Sequence, residues 1–185
     1  MSNIHIRKAT LEDLPYLLKF EQGIIAAERP FDETLVSEKF HYYDLAERIK
    51  EPDAEVLVAE VNGDVVGGGS AIIKEGKSFN TFTRYSFLGF MYVEPAYRGQ
   101  GVNKLIIEKL VEWSREKGLK EIRLQVYSDN LPALRAYEKV GFKKILTEMR
   151  FTQWCPDFWN PPISYSFSIL YSGAEFINSP LHLNI

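Results

Sequence analysis

Val93-Glu94-Pro95-Ala96-Tyr97-Arg98-Gly99-Gln100-Gly101-Val102-Asn103 is the most informative stretch of the chain. An apolar run, Phe87 to Val93, stops at a proline; an Arg-Gly-x-Gly loop follows, and Lys104-Leu105-Ile106-Ile107 opens a helix. Strand, glycine loop and helix turn several backbone N–H groups toward one point. The first N–H groups of a helix have no partner within it, and the helix dipole adds partial positive charge there. Such a corner accepts an anion, typically a phosphate. Gly99 and Gly101 can take positive φ and let a ligand approach the backbone. The spacing fits neither a nucleotide-triphosphate loop nor a dinucleotide fingerprint. By spacing alone an ordinary tight strand-to-helix turn explains the loop as well as a ligand site does.

The rest of the chain supplies context. Ile6-Arg7-Lys8-Ala9-Thr10-Leu11-Glu12-Asp13 reads as a short strand over 4–8 running into a helix, with Thr10 as N-cap and Asp13 in the capping-box place. Leu11, Leu14, Leu17, Leu18 and Ile25 recur at helical spacing to about Ala27. A second helix is expected over about Thr34 to Lys50, ending at Pro52. Val56 to Val61 and Val65 to Ile73 form a hairpin around Asn62-Gly63. Gly67-Gly68-Gly69, inside the second of these strands, reads as a bulge or close backbone approach, since no helix follows it. Tyr85 to Val93 is apolar enough to be a strand buried on both faces. A helix from Gly101 to about Lys117 stops at Gly118. Glu121 to Tyr127 is a strand, Leu131 to Val140 a helix, and Phe142 to Phe151 a further strand. The order is βααβββαβαβ, an α+β arrangement with a mostly antiparallel sheet and one parallel pair around the central helix.

Three of these segments together resemble the GNAT acetyltransferase superfamily. Arg98 to Asn103 is similar to its acyl-CoA loop, with Arg98 and Gly101 matching and Asn103 standing where Gly or Ala is usual. Ser128-Asp129-Asn130, followed by a helix ending Tyr137-Glu138-Lys139-Val140-Gly141-Phe142, resembles the second signature. The first strand and helix resemble the family's start, so the likeness spans roughly residues 3 to 151. It implies a GNAT-like acyl-CoA N-acyltransferase fold, a mixed, mostly antiparallel sheet flanked by helices. The acetyltransferase domain is then 1–171, with Ile163 to Tyr171 as the last strand, and 172–185 is a C-terminal tail of unclear role. The tail belongs to an aromatic C-terminal extension, from Thr152 onward, without Lys or Arg. Covering a sheet edge and making a homodimer contact are equal readings of the tail, with a poorly ordered tail as the third.

The resemblance also implies the chemistry: transfer of an acetyl group from acetyl-CoA, as cosubstrate, to a primary amine on a small molecule or peptide, by direct attack in a ternary complex. Arg98, Gly99, Gln100, Gly101, Val102, Asn103 and Lys104 would offer donors to the pyrophosphate. Met91, Tyr92 and Val93 would pair with the amide-bearing arm as an added strand does. The N–H of Tyr92 or Val93 would meet the oxyanion. Asn130 would hydrogen-bond the arm, cap its helix, or both. Tyr137 would protonate the departing thiolate, or else simply pack its ring on Phe142.

For the general base the match fails. Many relatives carry a Glu on the fourth strand where this chain has Phe87, flanked by Ser86 and Leu88. Glu21, Glu28, Asp44 or Tyr85 could line the acceptor cleft, each also reading as a surface residue; a water relay is the alternative. A non-catalytic acyl-CoA-binding sensor or interaction module, and a donor other than acetyl-CoA, stay open.

Composition bounds the remainder. The 185 residues are 45% hydrophobic and 25% charged, with a net charge of −3. That is globular composition for one domain, without the basic face of a nucleic-acid binder. Cys155 is the single cysteine, and His5, His41 and His182 are scattered, so no disulfide and no metal site is expected. No apolar run is long enough to span a membrane, and the polar start shows no secretory signal; a cytoplasmic location is the default.

Overall fold

The computed structural model describes residues 3–151. Its elements are β1 (Ile4–Lys8), α1 (Leu14–Glu28), α2 (Leu45–Lys50), β2 (Ala54–Val61), β3 (Asp64–Glu75), β4 (Arg84–Val93), α3 (Val102–Glu116), β5 (Ile122–Leu124) and α4 (Leu131–Lys139). The strands lie in the order β1-β2-β3-β4-β5. Each neighbouring pair is antiparallel except β4 and β5, which are parallel, with α3 and its flanking loops as the crossover.

Local chemistry explains most boundaries. The Thr10 N–H donates to Asp13 at 2.8 Å, completing the capping box. Arg7 donates to both oxygens of the same carboxyl, at 2.8 Å each. Those bonds hold Asp13 down at about 2 and fasten β1 to the start of α1. Asn62 and Gly63 have φ of 52° and 90°, the left-handed pair that a two-residue hairpin needs.

Two cores sandwich the sheet. One packs Val102, Ile106, Ile107 and Leu110 of α3 against Leu57, Ala59, Ala71 and Leu88. The other packs Leu17, Phe20 and Leu45 of α1 and α2 against Val56, Val58 and Phe90. The three successive glycines of β3 are explained by this crowding. A Cβ on Gly67 would sit 2.7 Å from the Tyr92 carbonyl oxygen, and one on Gly69 2.6 Å from Ile106. Opposite them, the register between β3 and β4 slips between Gly68 and Ser70, and Phe90 takes a φ of 50°. This is a bulge, as the sequence implied. Gly67→Ala meets backbone rather than a yielding side-chain tip. It is expected to cost about 1–3 kcal/mol, as overpacking does, read as a lowered midpoint in urea unfolding.

Several expectations need correction. Helix over Thr34 to Lys50 shrinks to Leu45–Lys50. Arg29 donates to the carbonyls of Val36, Ser37 and Glu38, and Glu21 accepts from Tyr42 and Tyr43, so this backbone is satisfied by side chains instead of a helical ladder. The strand expected over Phe142 to Phe151 finds no partner among the described residues: 143–151 has no regular structure there, and Ile145 and Leu146 are exposed. A strand exists only through its ladder partners, and none of the described residues pairs with this segment. The strand expected over Glu121 to Tyr127 is only Ile122–Leu124. β4 is not buried on both faces: Ser86 and Leu88 are buried under α3, whereas Tyr85, Phe87 and Gly89 on the opposite face are half-exposed. The expected strand at Ile163 to Tyr171, the aromatic extension and the 171/172 boundary lie outside the described residues. Among the described residues no helix is long and apolar enough to cross a membrane.

Candidate active site

The site begins where two parallel strands part. β4 pairs with β5 only through Ser86, Phe87 and Leu88. From Gly89 to Val93 no strand lies on that side of β4 among the described residues. Which groups face the gap follows from backbone alternation. The Glu94 N–H donates to Val66 at 2.8 Å and the Tyr92 carbonyl lies against Gly67, so both point toward β3. The Val93 carbonyl instead accepts from Arg98 Nε at 3.0 Å. Antiparallel strands alternate in this way, so the main-chain groups of Met91 and Val93 face the open edge and those of Tyr92 do not.

At the end of that edge stands the glycine loop. Gly99 and Gly101 have φ of 76° and 87°. Gly101 is the N-cap of α3, no side chain caps the helix, and its first turn holds no acidic residue. The leading N–H groups of Val102, Asn103 and Lys104 therefore face outward beside the positive end of the dipole. Nothing lies within 4 Å of where a Cβ would stand on Gly99 or Gly101, so the approach is open. The neighbouring side chains are turned elsewhere. Arg98 binds the Val93 carbonyl and sits 5.8 Å over the Tyr92 ring, Gln100 donates to Ala96, and Lys104 pairs with Glu108.

On the far side of the gap, Asn130 caps α4 by accepting from Ala133 at 3.2 Å, which leaves its amide hydrogens free to donate. Tyr137, on the same helix, sets its ring edge-on to Phe142 at 6.1 Å. The packing reading and an available hydroxyl thus coexist, since that hydroxyl has no hydrogen-bond partner among the described residues. Burial, with the charge of Glu28 and then Tyr43 adding to it, pushes Tyr137 up to about 12.

Glu28 is the informative neighbour. It ends α1 and is half-buried; burial raises its pKa above the usual carboxylate value. Tyr42, whose buried hydroxyl makes no well-formed hydrogen bond, lies beside it. After burial, the charge of Glu28 adds to the upward shifts of both Tyr43 and Tyr137. The other candidate bases are otherwise engaged. Glu21 is fully buried and accepts from the N–H groups of Tyr42 and Tyr43 and from His41. Asp44 caps α2 by accepting from Glu47. Tyr85 lies beneath Arg123. Sequence alone could not rank these four, because the ranking depends on where α1 ends and how 32–44 folds. It also missed Tyr42 and Tyr43, whose side chains the expected helix would have placed elsewhere.

The chain matches the acetyltransferase (GNAT) family over residues 22–142, the interval that holds the open strand edge, the glycine loop and α4. It belongs to that family. It is therefore an acetyltransferase enzyme, and relatives that span most of its length agree. An N-alpha-acetyltransferase of Sulfurisphaera tokodaii is 28% identical over 145 residues, 76% of this chain and 80% of that protein. A thialysine N-epsilon-acetyltransferase of Sus scrofa is 28% identical over 153 residues, 78% of this chain and 87% of that protein. Among solved structures, a Bacillus halodurans protein superposes with a TM-score of 0.72 at 17% identity, covering 80% of this chain and 98% of its own. An aminoglycoside N-acetyltransferase in complex with CoA superposes at 0.63 and 18% identity, covering 82% and 100%. These GNAT neighbours share the α+β architecture of a mixed sheet flanked by helices.

Proposed function

We propose that this chain transfers the acetyl group of acetyl-CoA directly to the nitrogen of an amine held on the α1/α2 side of the sheet. The observation that carries the reading is the continuity of two donor sets: the open β4 edge at Met91 and Val93 runs into the uncapped, glycine-flanked start of α3. The first is suited to pair with an amide-bearing arm, and the second to hold a pyrophosphate. The aminoglycoside enzyme's complex with CoA supports the assignment by analogy of fold. Arg98, Gln100 and Lys104 would add to the main-chain donors of Gly99, Gly101, Val102 and Asn103. Asn130 would donate its amide hydrogens to the arm.

Four events follow from these placements. Glu28, directly or through a water, takes a proton from the ammonium form of the acceptor. The freed nitrogen attacks the thioester carbonyl carbon. The N–H of Met91 or Val93 stabilises the oxyanion. As the carbon–sulfur bond breaks, Tyr137 gives its proton to the departing thiolate and the nitrogen's second proton passes through water to the resulting phenolate, leaving neutral amide, free CoA and Tyr137 again protonated. Direct attack needs no nucleophile from the protein. Release of free CoA in the presence of a panel of amines tests the transfer; no release above background with any of them would overturn it.

Asn103→Glu tests the cofactor corner. A carboxylate in the first turn of α3 favours the helix through its dipole by about 0.3–1 kcal/mol. It would repel a pyrophosphate bound there. Thermal stability should hold or rise while acetyl-CoA affinity, measured by calorimetry, falls on the order of tenfold or more. Unchanged affinity would place the diphosphate somewhere other than this corner.

A further inference from the structure

The acceptor side of the sheet carries positive charge that no described residue neutralises. Arg48 leaves α2 and lays its guanidinium 4.4 Å over the Tyr43 ring, with a long contact of 3.4 Å to the buried Ser70 hydroxyl on β3. Lys74, four residues further along β3 and on the same face, sets its ammonium 4.0 Å over the Phe87 ring. Phe87 pairs across the sheet with Ile72, the residue midway between Ser70 and Lys74. The two cations therefore lean toward one another from either end of a short stretch of sheet. Both are held below their ordinary pKa values, Lys74 by desolvation and then the Arg48 charge, Arg48 by desolvation.

Among the described residues neither makes an ion pair. Glu51 and Glu21 act on Arg48 only from a distance, and the oxygens of Glu21 are taken by the loop it holds. Arg123, next to Phe87 on β5, already has Glu121 at 2.9 Å. Two neighbouring cations on aromatic rings, with no ion-pair partner among the described residues, are a binding arrangement for an anion.

Their place relative to the reaction centre sets a length. The Tyr43 hydroxyl, at the far end of the ring that Arg48 covers, lies 3.3 Å from where a Cβ would stand on Gly89, the residue at which β4 and β5 part. From Gly89 back to Phe87 is two residues, about 7 Å of strand. We propose, resting on the transferase reading above, that Arg48 and Lys74 bind a carboxylate on the acceptor. The substrate would then be an amine whose carboxylate is separated from the reacting nitrogen by a chain of about 6–10 Å. Phe87 fits this, offering an apolar floor beneath the Lys74 ammonium.

The test uses the full chain saturated with acetyl-CoA and matched pairs of ω-amino acids and their amides, from 4-aminobutanoate to 8-aminooctanoate. The 6-carbon acid should exceed its amide in kcat/KM by ten- to a hundredfold, and glycine should not gain over glycinamide. Lys74→Gln, at an exposed position, should remove most of that preference by raising KM for the acid without changing KM for the amide. Lys74→Glu should reverse it. Equal kcat/KM for acid and amide throughout the series would overturn the proposal while leaving the transferase reading intact. Calorimetry with CoA alone and then with 6-aminohexanoate separates the remaining case. Binding of CoA without the acid would also overturn the carboxylate site, whereas failure of CoA to bind would overturn the transferase reading itself.

Discussion

Glu28→Gln is expected to lower kcat/KM by about 10²–10⁴ at neutral pH, the range that positioned acid–base groups contribute, while acetyl-CoA affinity stays within a few-fold. An aliphatic amine is almost wholly ammonium at that pH, so attack waits on loss of a proton. Burial raises the Glu28 pKa and brings it closer to the ammonium's, which makes the transfer less uphill. The pH profile carries the sign. Glu28 accepts a proton only when ionised, so kcat/KM should fall as pH drops through its raised pKa, and the glutamine variant should lack that acidic limb. Tyr137→Phe should lower kcat by a similar order for the opposite step, protonation of the thiolate. With its pKa pushed up to about 12, Tyr137 stays protonated across any practical assay, so its loss should reduce the rate without moving either limb. Steady-state assays of CoA release over the acidic to mildly alkaline range check both variants. A Glu28→Gln enzyme with the parent's rate and profile would leave a water chain as the proton acceptor.

The sequence carried the strand–loop–helix corner well because its signals are local. A proline after an apolar run, two glycines and a new helical period fix β4, the turn and α3 with little help from the rest of the chain. Asn62-Gly63 and Thr10 with Asp13 are legible for the same reason. Residues 32–44 are not, since long-range bonds decide them: Glu21 and Arg29, both on or just after α1, capture backbone groups there. Nothing in a local window says that a glutamate one or two turns inside a helix will be buried to hold a loop. The acceptor side depends on that loop, which explains why Glu28 could not be separated from Glu21 and Asp44, and why Arg48 and Lys74 drew no attention. The strand expected over 142–151 rests on the same principle: only a pairing partner makes a strand, and none of the described residues pairs with this segment.

That dependence on one buried side chain yields the largest expected loss of stability. Glu21→Ala should destabilise the fold by about 3–5 kcal/mol, the cost of leaving buried polar groups without partners and a cavity behind. Glu21 is 0% exposed and holds Tyr42 at 2.8 Å, Tyr43 at 3.0 Å and His41 at 2.5 Å. Its loss strands two main-chain N–H groups. Both of those donate to the same oxygen, Oε1, and His41 alone meets Oε2. An amide placed with its carbonyl toward Tyr42 and Tyr43 keeps the first two bonds and presents an N–H to the His41 ring nitrogen, which can accept in its other tautomer. Glu21→Gln should therefore recover most of the loss, within about 1–2 kcal/mol of the parent. Thermal unfolding distinguishes the pair: the alanine variant should melt on the order of 10 °C lower, the glutamine variant only a few degrees lower. Because Tyr43 rides on this loop and supports Arg48, the alanine variant should also lose discrimination between carboxylate-bearing amines and their amides at temperatures where it is still folded. If alanine and glutamine melted alike, the loop would owe its shape to the packing of Tyr42 and Tyr43, not to the carboxylate.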